Sequence, residues 1–310
     1  MRVACIDIGT NSVRLLLSDF DGKVFSEVSK SLQMTRLGKG VNETKVLAQD
    51  RIDASVSVIV KYCETANQFG AEKVYLMATS AVRDSTNAQD FITAVYEKTG
   101  HTIEVISGDI EAKVGFMGVL LGSEEPDQTV LVIDIGGGST EFIIGDSTGI
   151  QYAKSLNIGA VRMTGAYIHS DPVQHSESQA VMAFVAEQVN AIISDIKARS
   201  IDAVIGIGGT ATTYATMQHE VVTYSREKVH RLKVTLDDLV ALNSRLELAT
   251  IEARKHFLGL EEKRADIIYA GGLIMQVIME ALEISAFSVS DFDNLEGFIV
   301  YKWQEEHKKT

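Results

Sequence analysis

One pattern occurs twice in this chain, and few folds can accommodate it. Residues 130–144 read VLVIDIGGGSTEFII: an apolar run closing on Asp134, three glycines, Ser139, Thr140 and Glu141, then a second apolar run. Residues 3–17 read VACIDIGTNSVRLLL and match without a gap at an offset of 127 residues, placing Asp7 on Asp134, Gly9 on Gly136 and Ser12 on Ser139. The register continues through Asp19/Asp146 and Gly22/Gly149. A gapless internal match marks a duplicated unit, so the chain is expected to build one supersecondary element twice. The runs are short and rich in Val and Ile, which favours strands. Glycines between them allow a tight turn and leave backbone N–H groups uncovered, a nest suited to phosphate. For either copy alone, an ordinary Gly-rich hairpin is the alternative.

The copies differ at a chemically telling place, because Arg14 stands where the second copy has Glu141. Asp134 and Glu141 lie at the two ends of their turn, where carboxylates can hold a divalent cation beside a phosphate. Asp7 is the matching carboxylate of the first copy and joins that metal-binding set. A cationic and an anionic version of one turn suggest two facing loops, one for phosphate charge and one for metal.

The 310 residues suffice for two medium domains with real cores, and two prolines in the whole chain argue against a Pro-rich hinge. A net charge of −13 argues against a general nucleic-acid-binding surface, so a polyanionic substrate must be met by local Arg, Lys, backbone N–H groups and metal. Cys5 and Cys63 are isolated and read as buried apolar residues of a reducing compartment. With no signal layout at the N-terminus and no apolar stretch of membrane-spanning length, a soluble, cytoplasmic protein that binds no membrane is expected.

Along the chain, helical periodicity covers 47–69, 87–98, 110–121, 176–199, 235–248, 263–282 and 295–307, with fraying expected in the charged tail 305–309. Strands are expected at 73–79, 102–106, 203–207 and 287–290. Residues 35–41 (TRLGKGV) read as a solvated loop, with Arg36 and Lys39 near an anion as the alternative. Arg83 follows a strand end, where α/β sheets present ligand loops. Glu111 sits in the first turn of a helix, where a carboxylate suits the dipole; the functional alternative is a general base aimed at water. Gly208, Gly209 and Thr210 open a helix behind a strand, another phosphate-binding arrangement. No HExxH, GxSxG or GxxxxGK[ST] is present, and the GxGxxG fingerprint fails because Gly136–Gly138 lead into a strand.

The segments IDIGTNSVRL, ATSAVRDSTN, ISGDIEA, VIDIGGGSTEF and IGIGGTATT occur in an order that resembles the exopolyphosphatase / guanosine pentaphosphate phosphohydrolase (Ppx/GppA) family, and the likeness covers nearly the whole chain. The resemblance implies two ribonuclease-H-like α/β domains of the actin-like ATPase superfamily with an interdomain cleft. The domains are expected at 1–122 plus 293–310, the closing helix returning to the first, and at 123–292. It further implies release of terminal orthophosphate from inorganic polyphosphate, or of the 5′ γ-phosphate of pppGpp, with Mg²⁺ or Mn²⁺ as cofactor. Glu111 resembles the general base and Arg83 the phosphate-binding arginine. Asp134 and Glu141 resemble the Mg²⁺ carboxylates. Gly9, Thr10, Asn11, Ser12 and Arg14, with Gly136, Gly137, Gly138, Ser139 and Thr140, resemble the phosphate loops, supported by Gly208, Gly209 and Thr210.

Three departures stand out. Ile110 replaces the first of two acidic residues common in the family. The family's SDRGLREG is SDFDNLEG at 290–297, with loss of basic residues. The C-terminal helical domain with an HD-type motif found in longer relatives is not expected here. The last two favour short chains or a nucleotide, such as guanosine penta- or tetraphosphate, over long polyphosphate; homodimerisation is left open. Two other functions use the same turns: an ATP-dependent small-molecule kinase, and a non-catalytic sensor of (p)ppGpp or polyphosphate.

Overall fold

The computed structural model describes residues 1–307; the end of the tail expected to fray, residues 308–310, lies outside the described residues. The chain divides into two compact units, Met1–Leu121 with the segment from Asp293 onward, and Gly122–Phe292.

In the first unit, β1 (Arg2–Ile8), β2 (Ser12–Phe20) and β3 (Phe25–Met34) form an antiparallel meander. A one-turn helix α1 (Val41–Thr44) and the long α2 (Gln49–Phe69) lead to β4 (Lys73–Ala78), which lies parallel to β1. Then come the single turn α3 (Ser80–Arg83), α4 (Ala88–Thr99), β5 (Ile103–Val105) and α5 (Gly108–Gly122). The sheet order is β3-β2-β1-β4-β5. Strand alternation assigns the faces. Ala4, Ile6, Ile8, Val13 and Leu15 pack with Ile52, Val56, Ile59 and Phe91 of α2 and α4. Val3, Cys5 and Leu16 face the other way, with Val114 of α5 and Leu295, Phe298 and Ile299 of the last helix. Asp7 and Arg14 share the parity of Val3, Cys5 and Leu16, so both fall on this second face.

The second unit repeats the plan. Antiparallel β6 (Val130–Ile135), β7 (Thr140–Asp146) and β8 (Gly149–Leu156) are followed by α6 (Ala160–Tyr167), α7 (His175–Lys197), β9 (Ala203–Ile207) and α8 (Gly208–Gln218). Next come α9 (Arg226–Val229), β10 (Lys233–Thr235), α10 (Leu236–Leu248), α11 (Ile251–Arg254), α12 (Ile268–Leu282) and β11 (Ala286–Val289). The order β10-β11-β9-β6-β7-β8 contains the five-strand pattern of the first sheet plus one edge strand. β9 runs parallel to both β6 and β11. Leu131, Ile133, Ile135, Phe142 and Ile144 pack with Val181, Val185, Val189, Leu273 and Ile274 of α7 and α12. Each unit is thus a ribonuclease-H-like α/β layer arrangement. The closing helix α13 (Asn294–His307) belongs to the first unit.

One expectation needs correction, and one helix was not foreseen. The helix expected over 263–282 begins at Ile268, after a separate turn at Glu262–Arg264. The carbonyl-to-amide pairing of that turn, Arg264 N–H to Glu261 O at 2.8 Å and Ala265 N–H to Glu262 O at 3.2 Å, does not propagate into an α-helix. α6 has no counterpart in the expected elements; at eight residues it is too short for periodicity to signal.

Candidate functional site

The duplicated turns have the same wiring. Gly9 N–H donates to Ser12 O at 2.9 Å, and Gly136 N–H to Ser139 O at 3.0 Å. In the first turn, Thr35 and Arg36 N–H groups converge on Asn11 O, and Gly38 N–H donates to Thr10 O. In the second, Ala160 N–H donates to Gly136 O, Val161 and Arg162 N–H groups to Gly137 O, and Arg162 Nε to Gly138 O at 2.7 Å. Carbonyls are therefore tied back into protein, while the Thr10, Asn11, Gly137 and Gly138 N–H groups find no protein acceptor among the described residues. A turn whose acceptors are satisfied and whose donors are not has the chemistry to receive an anion.

The strand register decides what stands beside each turn. Asp134 pairs directly with Glu141 across β6 and β7, and Asp7 pairs with Arg14 across β1 and β2. Directly opposed residues project from the same face with Cβ atoms about 5 Å apart. In the second unit this sets two buried carboxylates side by side. Ser155 Oγ donates to Glu141 Oε1 at 2.7 Å, and the Asp134 carboxylate lies against the backbone of Gly208. Gly208 has φ 75°, and a Cβ there would fall 2.3 Å from Asp134 Oδ1, so only glycine fits. The N-terminus of α8 thus opens beside Asp134.

In the first unit the same register yields an ion pair. Arg14 donates from Nε and Nη2 to Asp7 Oδ2, at 3.0 and 2.6 Å, and from Nη1 to Asp293 Oδ2. Burial pushes the Asp7 carboxyl above its usual range despite the pull of Arg14. Burial also works against the charge on Asp293, yet Arg14, Lys30 and the Leu295 N–H hold that carboxyl below its usual range. Lys30 Nζ reaches the fully buried Glu296 at 2.9 Å. Elsewhere in the unit, Arg83 Nη1 donates to Glu111 Oε2 at 3.1 Å and to Ile106 O at 2.9 Å. The end of β4, through α3, and the first turn of α5 bring these two together.

Several expected site residues find other partners. Asp7, expected with the metal, is held by Arg14, because the register that aligns two carboxylates in the second unit aligns opposite charges here. Arg14, expected on phosphate, is engaged by two carboxylates. The Thr10 hydroxyl bonds Ser80 Oγ at 2.9 Å, Thr140 donates to Ile158 O at 2.5 Å, and Thr210 to Ile135 O at 3.1 Å. All three threonines are buried, and their hydroxyls brace the turns. Gly138 and Ser139 are also buried, whereas Gly9, Asn11, Ser12, Gly136, Gly137, Gly208 and Gly209 are partly exposed.

Other contributors were not among the expected site residues. Arg264 packs its guanidinium against Gly209, where a Cβ would lie 2.0 Å from Nη1, which sets a cation at the α8 N-terminus. Arg162 braces the second turn, and Ser155 orients Glu141. Phe292, where the resembling pattern has arginine, lies beneath the Arg226 guanidinium at 4.0 Å, and Arg226 pairs with Asp291 at 2.8 Å. A positive charge therefore persists beside position 292, supplied from α9. Among the described residues there is no group of three or more His, Cys, Asp or Glu side chains able to hold a metal ion. Asp134 and Glu141 still fit a hard cation that completes its oxygen shell from water and phosphate. No helix among the described residues is long and apolar enough to cross a membrane.

A duplicated ribonuclease-H-like layer with a glycine turn in each copy, acidic in one and charge-paired in the other, defines the class: a two-unit α/β protein built on one repeated layer. The chain belongs to the Ppx/GppA phosphatase family, whose model matches residues 16–307. It is 30% identical over 309 residues to exopolyphosphatase 2 of Mycobacterium tuberculosis, covering 96% of this chain and 97% of that one. It is 35% identical to the bifunctional 3-dehydroquinate synthase/phosphatase of Fusobacterium nucleatum, where the match takes in 96% of this chain but spans 46% of that relative's length. The crystal structure of the Aquifex aeolicus Ppx/GppA family member superposes with a TM-score of 0.82 at 32% identity, over 99% of this chain and 98% of that one.

Proposed function

We propose that this protein is a phosphohydrolase that releases terminal orthophosphate from inorganic polyphosphate and, by the same chemistry, the 5′ γ-phosphate of pppGpp. The observation that carries this reading is the register of β6 and β7, which sets Asp134 opposite Glu141 beside a turn whose Gly137 and Gly138 N–H groups have no protein acceptor among the described residues. Exopolyphosphatase 2, with near-complete mutual coverage, supports hydrolysis over transfer to a carbon acceptor.

Asp134 and Glu141 would hold a divalent cation, Mg²⁺ or Mn²⁺, whose charge would stabilise the phosphoryl oxygens as bond order falls. The chain's own groups do the rest. Turn N–H groups receive the equatorial oxygens, in an arrangement fixed before substrate arrives. Glu111, oriented by Arg83, accepts a proton from the water attacking in line. The N–H groups of Arg83 not directed at Glu111 and Ile106 O complete the phosphate contacts. Burial of Glu111 against the half-buried Arg83 limits the geometries open to the carboxylate, which favours orientation of a single water.

The test is orthophosphate release in Mg²⁺ from short polyphosphate, long polyphosphate and pppGpp side by side, with ATP plus candidate acceptors as a fourth arm. Acceptor-independent orthophosphate from at least one of the first three is expected. Release that requires an acceptor would make the protein a kinase, and tight binding without turnover a sensor. Glu111→Gln should keep substrate binding and lower kcat by about 10²–10⁴; near-normal turnover would remove Glu111 from the role.

A further inference from the structure

We propose that Asp293 tunes phosphate affinity: its carboxylate is an internal anion that occupies the Arg14 guanidinium and weakens the first turn's grip on phosphate. This inference rests on the phosphohydrolase reading above and adds a restraint built into the first unit.

Arg14 is the third residue of β2, opposite Asp7 and close after the Gly9–Ser12 turn, so it is the cation nearest that turn's open N–H groups along the chain. Asp7 takes Nε and Nη2, which leaves Nη1 as the outward arm of the fork, and Asp293 Oδ2 takes Nη1. A carboxylate and a phosphate are alternative partners for the same guanidinium N–H groups. Two guanidinium N–H groups, one each on Nη1 and Nη2, lie outside these bonds, so an arriving phosphate oxygen binds beside Asp293 and meets the repulsion of that carboxylate as it does so.

Asp293 is not free to swing aside. Its Oδ1 accepts the Leu295 N–H at 3.0 Å, and its own N–H donates to Glu296 Oε2 at 3.3 Å. Lys30 anchors Glu296 in turn. Its backbone is seated in a notch on α5, since a Cβ on Gly118 would lie 2.1 Å from Asp293 O. The carboxylate is thus fixed by the start of α13 and by α5, the helix that also carries Glu111. A side chain held this firmly acts as a permanent competitor, in contrast to a mobile counter-ion.

The experiment is binding of inorganic tripolyphosphate, by calorimetry, to the wild type, Asp293→Asn, Arg14→Gln and the double variant, with thermal unfolding to confirm folding. Asp293→Ser, which keeps an oxygen for the Leu295 N–H, serves if the asparagine variant does not fold. Removing the carboxylate should tighten binding roughly three- to tenfold, and Arg14→Gln should abolish the gain. Unchanged or weaker binding by a folded Asp293 variant, against measurable wild-type binding, overturns the proposal alone. A gain that persists without Arg14 also overturns it, since general charge reduction then suffices. Failure of wild type and folded variants alike to bind overturns the phosphohydrolase reading, and this proposal with it.

Discussion

His230 shows how much a single side chain can hold. Its Nδ1 accepts the Asp291 N–H at 3.3 Å and its Nε2 faces Gly122 O at 3.2 Å, which fixes the neutral tautomer with the proton on Nε2. Burial lowers its pKa below 6.5, and the nearby Arg231 and Arg226 add to this against Asp291 and the Gly122 bond. The folded state therefore binds fewer protons than the unfolded state below pH 6.5, so this contribution is full above pH 6.5 and is lost as pH falls through the lowered folded value. Thermal unfolding between about pH 5 and 8 should show that component in the wild type and lack it in His230→Gln; parallel profiles would refute it. Arg254 makes a different point. It is buried, donates from Nε to Leu246 O at 2.9 Å and from Nη1 to Ala265 O at 3.2 Å, and lies over the Tyr269 ring at 5.4 Å. No carboxylate forms an ion pair with it among the described residues. Arg254→Ala should cost about 2–4 kcal/mol through lost volume and stranded carbonyls, whereas Arg254→Met should cost less, because a buried cation is expensive to keep. Chemical denaturation of both variants checks the order.

At the scale of elements, two close approaches position the chemistry. α5 meets the start of α13 through Gly118 and Gly297, where a Cβ would lie 2.1 Å from Asp293 O and 1.8 Å from Val114 O respectively. Gly118→Ala must push α13 away or fail to fold. It should lose about 1–3 kcal/mol of stability, the usual cost of overpacking, and should lower activity through Glu111 on the same helix; unaltered stability would show that the contact relaxes freely. α8 presents the second approach. Gly208→Ala combines a left-handed backbone with a collision against the Asp134 carboxylate, so activity should fall more than stability does. A variant that loses only stability would place the α8 terminus outside the site. The α10 helix, by contrast, is set by local chemistry: Thr235 Oγ1 accepts the Asp238 N–H at 3.1 Å, and Asp238 Oδ2 accepts the Thr235 N–H at 3.0 Å.

At the scale of the whole molecule, one plan is built twice, and the second copy carries both proposed cation ligands, Asp134 and Glu141. Groups that serve one transition state lose activity non-additively. The Asp134→Asn/Glu141→Gln double variant should therefore retain kcat close to that of the weaker single variant; losses that multiply would mean that the two carboxylates act independently. The duplication, the strands of both meanders and the turns were legible in the sequence, because alternation of Val and Ile and the placement of glycine act within a few residues. The opposition of Asp134 and Glu141 followed from the same local rules, since a tight turn fixes which residues face each other. The fates of Asp7, Arg14, Thr10, Thr140 and Thr210 did not follow, nor did the roles of Arg264 and Asp293. A hydroxyl in a glycine turn can face outward to a ligand or inward to a carbonyl with no change in the sequence pattern. Arg14 and Asp293 lie at opposite ends of the chain, and only the packing of α13 onto the first sheet brings them within hydrogen-bonding reach. Sequence by itself determined the repeated turn and the residues available to it, because those depend on backbone geometry between neighbours. Tertiary structure alone decided which charges remain open to a ligand, because a charged group bonds whatever distant group the fold sets beside it.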